Sequence, residues 1–346
     1  MPFLIALLSL AFILGGCGLL GGGGKEIDPP QSESYLEDES ALEESNAEDT
    51  AGNEVVEKSL MTELYLIDKN GYVVPQTIAL PNSQSVAKQA LQHLVIDGPV
   101  SNVLPNGFRA VLPAGTEVDV NIKDGKAIVD FSKEFANYDA NDELKILQAV
   151  TWTLTQFDSV ETVKLQINGH ELTEMPVNKT PIMSNLSRAN GINIDTSSTV
   201  DITNSTALTL YYLGEEGNSY YYVPVTKRVS LKSDDMITAV VEELAQGPAV
   251  SSNLLTEFMH DVALIGEPKI EDGKVVLNFN ENIYGSFEED VVSQSLIDIL
   301  VLSLTEQEGI QSVEVLVNGK ASLKTEDGKE LSAPVNRPEK VNSTSL

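Results

Sequence analysis

The sequence predicts an α+β protein made of two tandem homologous domains, each with two helices packed on a mostly antiparallel or mixed sheet. Three observations carry that expectation. First, short stretches recur in the same order. Gly98-Pro99 returns as Gly247-Pro248, Asp124-Gly125-Lys126 as Asp272-Gly273-Lys274, "AIVDFSKEF" (127–135) as "VVLNFNENI" (275–283), and "VKLQINGHEL" (163–172) as "VEVLVNGKAS" (313–322). Their offsets are 149, 148, 148 and 150; a fifth match, "MPVNKTP" (175–181) with "APVNRPE" (333–339), lies at 158. A period near 150 residues is too long for a solenoid and fits a duplicated domain. Second, β-rich runs flank tight-turn dipeptides, which is the signature of hairpins. Third, between the hairpins apolar residues recur at helical spacing. The order β-β-α-β-β-α-β places both helices of a copy on one face of its sheet.

The chain opens "MPFLIALLSLAFILGGCGLLGGGG". Pro2 to Leu14 has the length of a signal-peptide core and is too short to span a bilayer comfortably. Leu14-Gly15-Gly16-Cys17 resembles a bacterial lipobox, so 1–16 is expected to be a lipoprotein signal peptide and Cys17 the site of lipid attachment. A cleaved secretory signal, or an uncleaved anchor, with an incidental cysteine is the alternative. Residues 17–59 carry twelve acidic side chains between Glu26 and Glu57 and no Lys or Arg there. Such a composition cannot bury enough surface to offset its ordering entropy, so a disordered acidic tether is expected. A flexible chain of that length spans about 35 Å.

The first domain is expected over 60–183. "LYLIDKNGYVV" reads as a hairpin turning at Asn70-Gly71. Asn82 or Ser83 is placed to cap a helix that buries Val86, Ala90, Leu91, Leu94 and Val95. Gly98-Pro99 would stop that helix, since proline neither donates to a helix nor lets its predecessor remain helical easily. A second hairpin turns at Asp124-Gly125. A long helix carrying Leu144, Leu147, Val150, Leu154 and Phe157 follows, then a strand with Val163, Leu165 and Ile167. Residues 184–205, rich in Ser, Thr and Asn, read as a linker in which "INID" is a possible short strand. The second domain, over 206–340, repeats the plan. Its first helix carries Met236, Val240, Val241 and Leu244, and its second Val292, Leu296, Ile299, Leu300 and Ser303. Residues 341–346 are expected to form a disordered tail.

The formal net charge is −30, which disfavours nucleic acid and anionic surfaces as partners. A single cysteine excludes an internal disulfide and any CxxC site. HExxH, GxSxG, the P-loop and GxGxxG are absent, so no catalytic residue, cofactor or metal is assigned. His93 and His170 read as surface residues, and neither His170 nor His260 has a histidine counterpart in the other copy. The runs Asp139, Asp142, Glu143 and Asn278, Asn280, Glu281 have calcium-like composition but lack EF-hand spacing. Helix N-terminal charge accounts more simply for Asp142 and Glu143. Tyr211, Tyr212, Tyr220, Tyr221 and Tyr222 cluster in one stretch. They are read as cross-strand pairs of a hairpin, with a sugar-stacking or protein-binding surface as the second reading.

With both copies aligned, "LPAGTEVDVNIKDGKAIVDFSKEF" and "TLTQFDSVETVKLQING" resemble the GerMN domain. Two such domains behind a lipidated cysteine and tether are similar to the GerM-like family of sporulation and germination lipoproteins. Repeat two departs from the pattern: it has "HDVALIGEPKI" instead of Pro113-Ala114-Gly115-Thr116, and Leu302-Ser303-Leu304-Thr305 in place of Trp152-Thr153-Leu154-Thr155. The resemblance implies ring-building-like domains and a non-enzymatic scaffold. It implies a lipid-anchored position on the extracytoplasmic face of the cell membrane, the mother-cell membrane facing the forespore. It also implies protein partners in the envelope-spanning complex joining the two cells, and possible self-assembly. No catalytic residue carries over; only Cys17 does. A surface lipoprotein binding peptidoglycan or another glycan is the alternative, and a wall hydrolase with a hidden triad a weaker one.

Overall fold

The computed structural model describes residues 59–343 apart from 198–200, 202, 204, 231–234, 286–290 and 322. The signal segment, Cys17 and nearly all of the acidic tether therefore lie outside the described residues.

The first domain runs β1 (Ser59–Ile67), β2 (Val73–Pro81), α1 (Val86–His93), β3 (Val118–Lys123), β4 (Lys126–Phe131), α2 (Glu143–Leu154), β5 (Thr162–Ile167) and β6 (His170–Glu171). The hairpin β1-β2 is a sheet of its own, and β3-β4-β5-β6 forms the main sheet. β4 and β5 are parallel while their neighbours are antiparallel, so the sheet is mixed. The parallel step needs a long crossover, which α2 supplies.

The second domain repeats this with β7 (Thr206–Glu216), β8 (Ser219–Val229), α3 (Met236–Gln246), β9 (Lys269–Glu271), β10 (Lys274–Phe279), β11 (Val291–Val292), α4 (Gln294–Thr305), β12 (Ser312–Val317), β13 (Leu323–Thr325), β14 (Glu330–Leu331) and β15 (Val335–Asn336). β7-β8 again stands apart, and β15-β12-β10-β9 is the main sheet with β10 and β12 parallel. β11, β13 and β14 add a small sheet without a counterpart in the first copy. Each domain is thus α+β, as the sequence predicts. Among the described residues no helix is long and apolar enough to cross a membrane.

The turns follow their dipeptides. Asp124-Gly125, Asp272-Gly273, Asn168-Gly169 and Asn318-Gly319 all take positive φ at both positions. That is the conformation a two-residue hairpin of this hand requires, and Asn, Asp and Gly tolerate it best.

The helices differ from the sequence expectation in several ways, first in extent: Val292 lies on β11 and not on α4, and Leu94, Val95 and Phe157 follow the ends of α1 and α2. Ser85, not Asn82 or Ser83, is the N-cap residue of α1, while the Ser83 hydroxyl bonds Gln89 Oε1 at 2.9 Å. Of the stripe expected on α2, Leu144 is 51% exposed, whereas Ile146, Ala149 and Trp152 off that stripe are buried. The stripe rule holds for a helix with one covered face. α2 is covered by β1 and β2, by α1 and by β5, so most of its surface is interior. α4 is enclosed in the same way, with every residue from Leu296 to Leu304 except Asp298 buried.

The Gly-Pro pairs also act unequally. In the second domain Gly247 terminates α3 directly, at φ 80, its N–H donating to Glu243 O and Leu244 O. In the first domain α1 already ends at His93, and Gly98-Pro99 begins a short 3-10 turn (Pro99–Asn102). Gly98 is required there by space, because a Cβ would lie 2.7 Å from Val95 O.

The acidic run 139–143 is consumed by structure. Asp142 pairs with Arg109 at 2.8 Å and Lys145 at 3.0 Å. Glu143, only 1% exposed, accepts from the N–H groups of Val177, Asn178 and Thr180 and from the Tyr138 hydroxyl. Burial alone would raise the Glu143 pKa, but the bonds from Thr180, Asn178 and Tyr138 prevail and bring it down to about 2. Asn278 and Asn280 are likewise engaged, accepting from Gly319 N–H and Ala263 N–H. Among the described residues no three His, Cys, Asp or Glu side chains are grouped to hold a metal ion.

Because the folded pKa of Glu143 is depressed, its stabilisation is complete above the unfolded value near 4.5 and is lost as pH falls through about 2. Glu143→Gln should therefore lower stability at neutral pH by about 1.5–3 kcal/mol, the range for hydrogen bonds to a charged group. It should also flatten the acid limb of the stability curve. Urea unfolding of both chains across a pH series checks this; unchanged curves would refute the role given to Glu143.

Candidate functional site at the domain junction

The first domain's β2 runs beside the second domain's β8, yet the two do not form a ladder. Pro75 on β2 and Pro224 on β8 each stand at a position facing the junction and offer no N–H for pairing. Two asparagines supply the missing partners. Asn193 Oδ1 accepts from Val73 N–H at 2.8 Å, and its Nδ2 donates to Val73 O at 2.8 Å and Pro224 O at 2.7 Å. Asn342 repeats this 149 residues later: Oδ1 accepts from Tyr222 N–H at 2.7 Å, and Nδ2 donates to Tyr222 O at 2.8 Å and Pro75 O at 2.9 Å.

The residues before them match as well. Ile192 N–H donates to Thr226 Oγ1 and Ile192 O accepts from Thr226 N–H, at 2.9 and 2.8 Å. Val341 makes the same pair of bonds with Thr77, at 2.8 and 3.0 Å. Both asparagines adopt left-handed backbone, φ 46 and 55, which Asn tolerates better than other non-glycine residues. The segment after each domain therefore packs on its own domain and bridges to the hairpin of the other, about an approximate two-fold axis.

This corrects two sequence expectations. Residues 184–205 are not simply a linker: Leu186 and Ile192 are buried in the first core, and Trp152 Nε1 donates to Gly191 O at 3.3 Å. "INID" contributes one bridge, Asp195 to Lys227. The tail beginning at 341 is ordered at its start, where Val341 is 1% exposed. The fifth repeat match is also out of register. Leu186 bridges Val163 as Val335 pairs with Val313, so the corresponding segments lie 149 apart, not 158. The true echo is Arg188-x-x-x-Ile192-Asn193 with Arg337-x-x-x-Val341-Asn342, a six-residue signal visible in the sequence.

The two arginines of that echo meet in a half-buried ionic cluster. Arg188 Nη1 donates to both oxygens of Glu306 (3.0 and 2.8 Å) and its guanidinium lies 4.4 Å from the centre of the Trp152 ring. Arg337 reaches Glu306 at 3.0 Å and Glu63 at 3.7 Å. The Tyr211 hydroxyl donates to Glu306 and the Tyr65 hydroxyl to Glu63, at 3.0 and 3.1 Å. Tyr65 and Tyr211 are equivalent, each opposite the proline of its hairpin and each donating its backbone N–H to a helix hydroxyl, Thr153 or Ser303. Burial alone would raise the Glu306 pKa, yet Arg188 and Arg337 hold it below the ordinary carboxylate value. Burial, reinforced by these carboxylates, keeps both tyrosines neutral.

The tyrosine cluster is largely spent here. Tyr211, Tyr212 and Tyr221 are buried, and only Tyr220 is well exposed, at 59%. Tyr221 donates to Asp68 of the other domain at 2.7 Å and packs edge-on against Phe108, 5.1 Å away. Tyr222 donates to Asp298 at 2.8 Å. Of these rings Tyr221 joins the two domains, Tyr211, Tyr212 and Tyr222 bond within the second, and Tyr220 is the one left outward. Val74 of β2 accordingly belongs to the second core. His93 bonds Gln89 O through Nδ1, and His170 and His260 are exposed; none of the three joins the junction.

Asn193→Ala and Asn342→Ala each remove three hydrogen bonds and strand backbone groups at a covered junction. Each should cost about 1–3 kcal/mol, with similar values because the sites are equivalent. Glu306→Gln leaves the half-buried Arg188 and Arg337 guanidinium groups undercompensated and should cost about 1–3 kcal/mol. Chemical denaturation measures all three. Markedly unequal values for the two asparagines would contradict the two-fold reading.

A family model described as "Germane: Sporulation and spore germination" matches residues 63–173 and 209–323, one match in each repeat. The chain is 53% identical to the spore germination protein GerM of Bacillus subtilis (strain 168), over 98% of this chain and 96% of that protein. The solved tandem GerMN domains of the sporulation protein GerM from B. subtilis are 56% identical and cover 83% of this chain and all of their own, with a TM-score of 0.78. The solved first GerMN domain of that protein is 69% identical over 37% of this chain, with a TM-score of 0.37. The chain belongs to this sporulation and spore germination family and carries two GerMN domains in tandem.

Proposed function

We propose that the protein is a non-enzymatic scaffold lipoprotein of sporulation. Its anchor is a lipid on Cys17, placed on the extracytoplasmic face of the cell membrane, which during sporulation is the mother-cell membrane facing the forespore. Its role is to support assembly or localisation of the complex that spans the envelope between the two cells, so that spores form and germinate properly. The observation that carries this reading is the junction. Its buried tyrosines and half-buried arginines and glutamates bond to one another and hold two related domains together, as a part that holds other proteins at a fixed geometry requires. The acidic segment up to residue 59 supplies reach from the membrane and repels anionic polymers, and the lipobox-like Leu14-Gly15-Gly16-Cys17 supplies the anchor. One lipidated cysteine with more than one acyl chain is enough for stable anchoring.

The test is fractionation and co-purification from sporulating cells. The natural chain should sediment with membranes and bring down components of the envelope-spanning complex. Cys17→Ser should release it to the soluble fraction. Firm membrane retention of Cys17→Ser would refute the lipid anchor. Failure of any complex component to co-purify, with binding to isolated peptidoglycan strands instead, would refute the scaffold role.

A further inference from the structure

A cavity of about 320 Å³ opens where the segment following the first domain passes the Gly-Pro loop of the second. Tyr72 reaches it from the first hairpin, Tyr212 from β7, Asp195 and Thr196 from the connecting segment, and Ser251 and Leu254 from the loop after α3. The Tyr72 hydroxyl donates to Ser252 O at 2.7 Å, so both domains contribute to one wall. Asp195 is the single charged residue in the lining. Its Oδ1 accepts from Ser197 N–H at 2.8 Å, and it makes no ion pair among the described residues. Lys227, whose backbone bridges Asp195, is committed to Glu243 at 2.7 Å. Burial foremost, then Asp68 and Asp195, raises the Tyr72 hydroxyl pKa; at Tyr212 burial, Glu243 and Asp195 do the same. Both hydroxyls therefore lie in a negative field. Beside them Ile194, also in the lining, is 43% exposed, and Val250, between Ala249 and Ser251, is fully exposed. None of this is duplicated: at the repeat offset of 149, Asp195 corresponds to Thr344 and Val250 to Ser101.

We propose that this cavity receives a basic side chain, arginine or lysine, which a protein partner presents between apolar neighbours. A cation there gains the Asp195 carboxylate as counter-ion, with the hydroxyls of Thr196 and Ser251 as further acceptors. Tyrosine rings add the attraction that aromatic systems exert on cations. An anion would be repelled, and a neutral group would leave the carboxylate without a counter-charge. The exposed Ile194 and Val250 offer cover to apolar residues flanking the basic one, and a side chain anchored in a pocket with water-excluding contacts around it is how protein interfaces concentrate their binding energy. The net charge of −30 attracts such a partner before contact. That the cation belongs to a protein rests on the scaffold reading; the preference of the cavity for a cation does not.

The test titrates the full chain with a fluorescent peptide, Ala-Leu-Arg-Leu-Ala, beside a control in which neutral citrulline replaces the arginine. Saturable binding is expected, weakening as salt is added. It should be about tenfold weaker for the control peptide and for Asp195→Asn, which can still accept from Ser197 N–H. Asp158→Asn, which removes an exposed acid elsewhere, should bind as the natural chain does. Bound peptide should slow hydrogen exchange at the 195–197 and 251–252 amides. No binding, equal binding of the citrulline peptide, an equal loss in Asp158→Asn, or unchanged exchange at those amides overturns the proposal. Protection of the same amides by a soluble chito-oligosaccharide and not by the peptide overturns it in favour of a glycan. In sporulating cells Asp195→Asn should stay with the membrane and lose the proteins that the natural chain brings down. If both chains bring down the same proteins, the cavity is not the partner's site and the scaffold reading stands. If the natural chain brings down none, the scaffold reading and its protein partner fail, whatever the peptide does.

Discussion

β2 and β8 run side by side carrying backbone groups that neither strand can satisfy on the other. Pro75 and Pro224 make the reason chemical, since each removes a donor that a direct ladder would need. Everything else at the junction is arranged around that constraint. Asn193 and Asn342 insert their carboxamides between the strands, each accepting one N–H and donating to a carbonyl on either side. Buried backbone groups left unpaired are costly, so the asparagines are what allows the two hairpins to be covered at all.

Once the hairpins are covered, the charges between the domains must be neutralised internally. Arg188, Arg337, Glu63 and Glu306 balance one another, with Tyr65 and Tyr211 taking remaining acceptor positions. The symmetry is broken only in part. Glu306 stands where the first copy has Gln156, which bonds the backbone of Glu63 on both sides. The two copies share this geometry and differ in its charge. A half-buried cluster of this kind depends on geometry, so it favours one relative placement of the domains over others.

The individual elements were legible because their signals are local. Asp124-Gly125 and Asn168-Gly169 turn where their dipeptides say, and Val86, Ala90, Leu91 and Leu94 are buried as their spacing implies. The stripe on α2 misleads at Leu144 because the helix is enclosed from several sides, a tertiary circumstance that periodicity does not encode. The junction was present in the sequence but easy to pass over. The Arg-x-x-x-(Ile or Val)-Asn echo sits inside segments whose Ser, Asn and Lys content resembles a linker and a tail. Polar composition normally marks solvated chain; here the asparagines are half-buried and bonded because backbone partners await them on β2 and β8.

By itself the sequence determined the duplication, the α+β class, the order of elements and the turn positions, since each depends on residues near one another in the chain. Only the tertiary structure decided that the segment after each copy bridges to the other copy's hairpin and that most of the clustered tyrosines face inward. It also decided which acidic residues are buried. Those outcomes depend on contacts such as Thr77 with Val341 and Tyr221 with Asp68, between groups more than 150 residues apart. No local preference specifies them; they follow from the shape and hydrogen-bonding capacity of surfaces that exist only after each domain has folded.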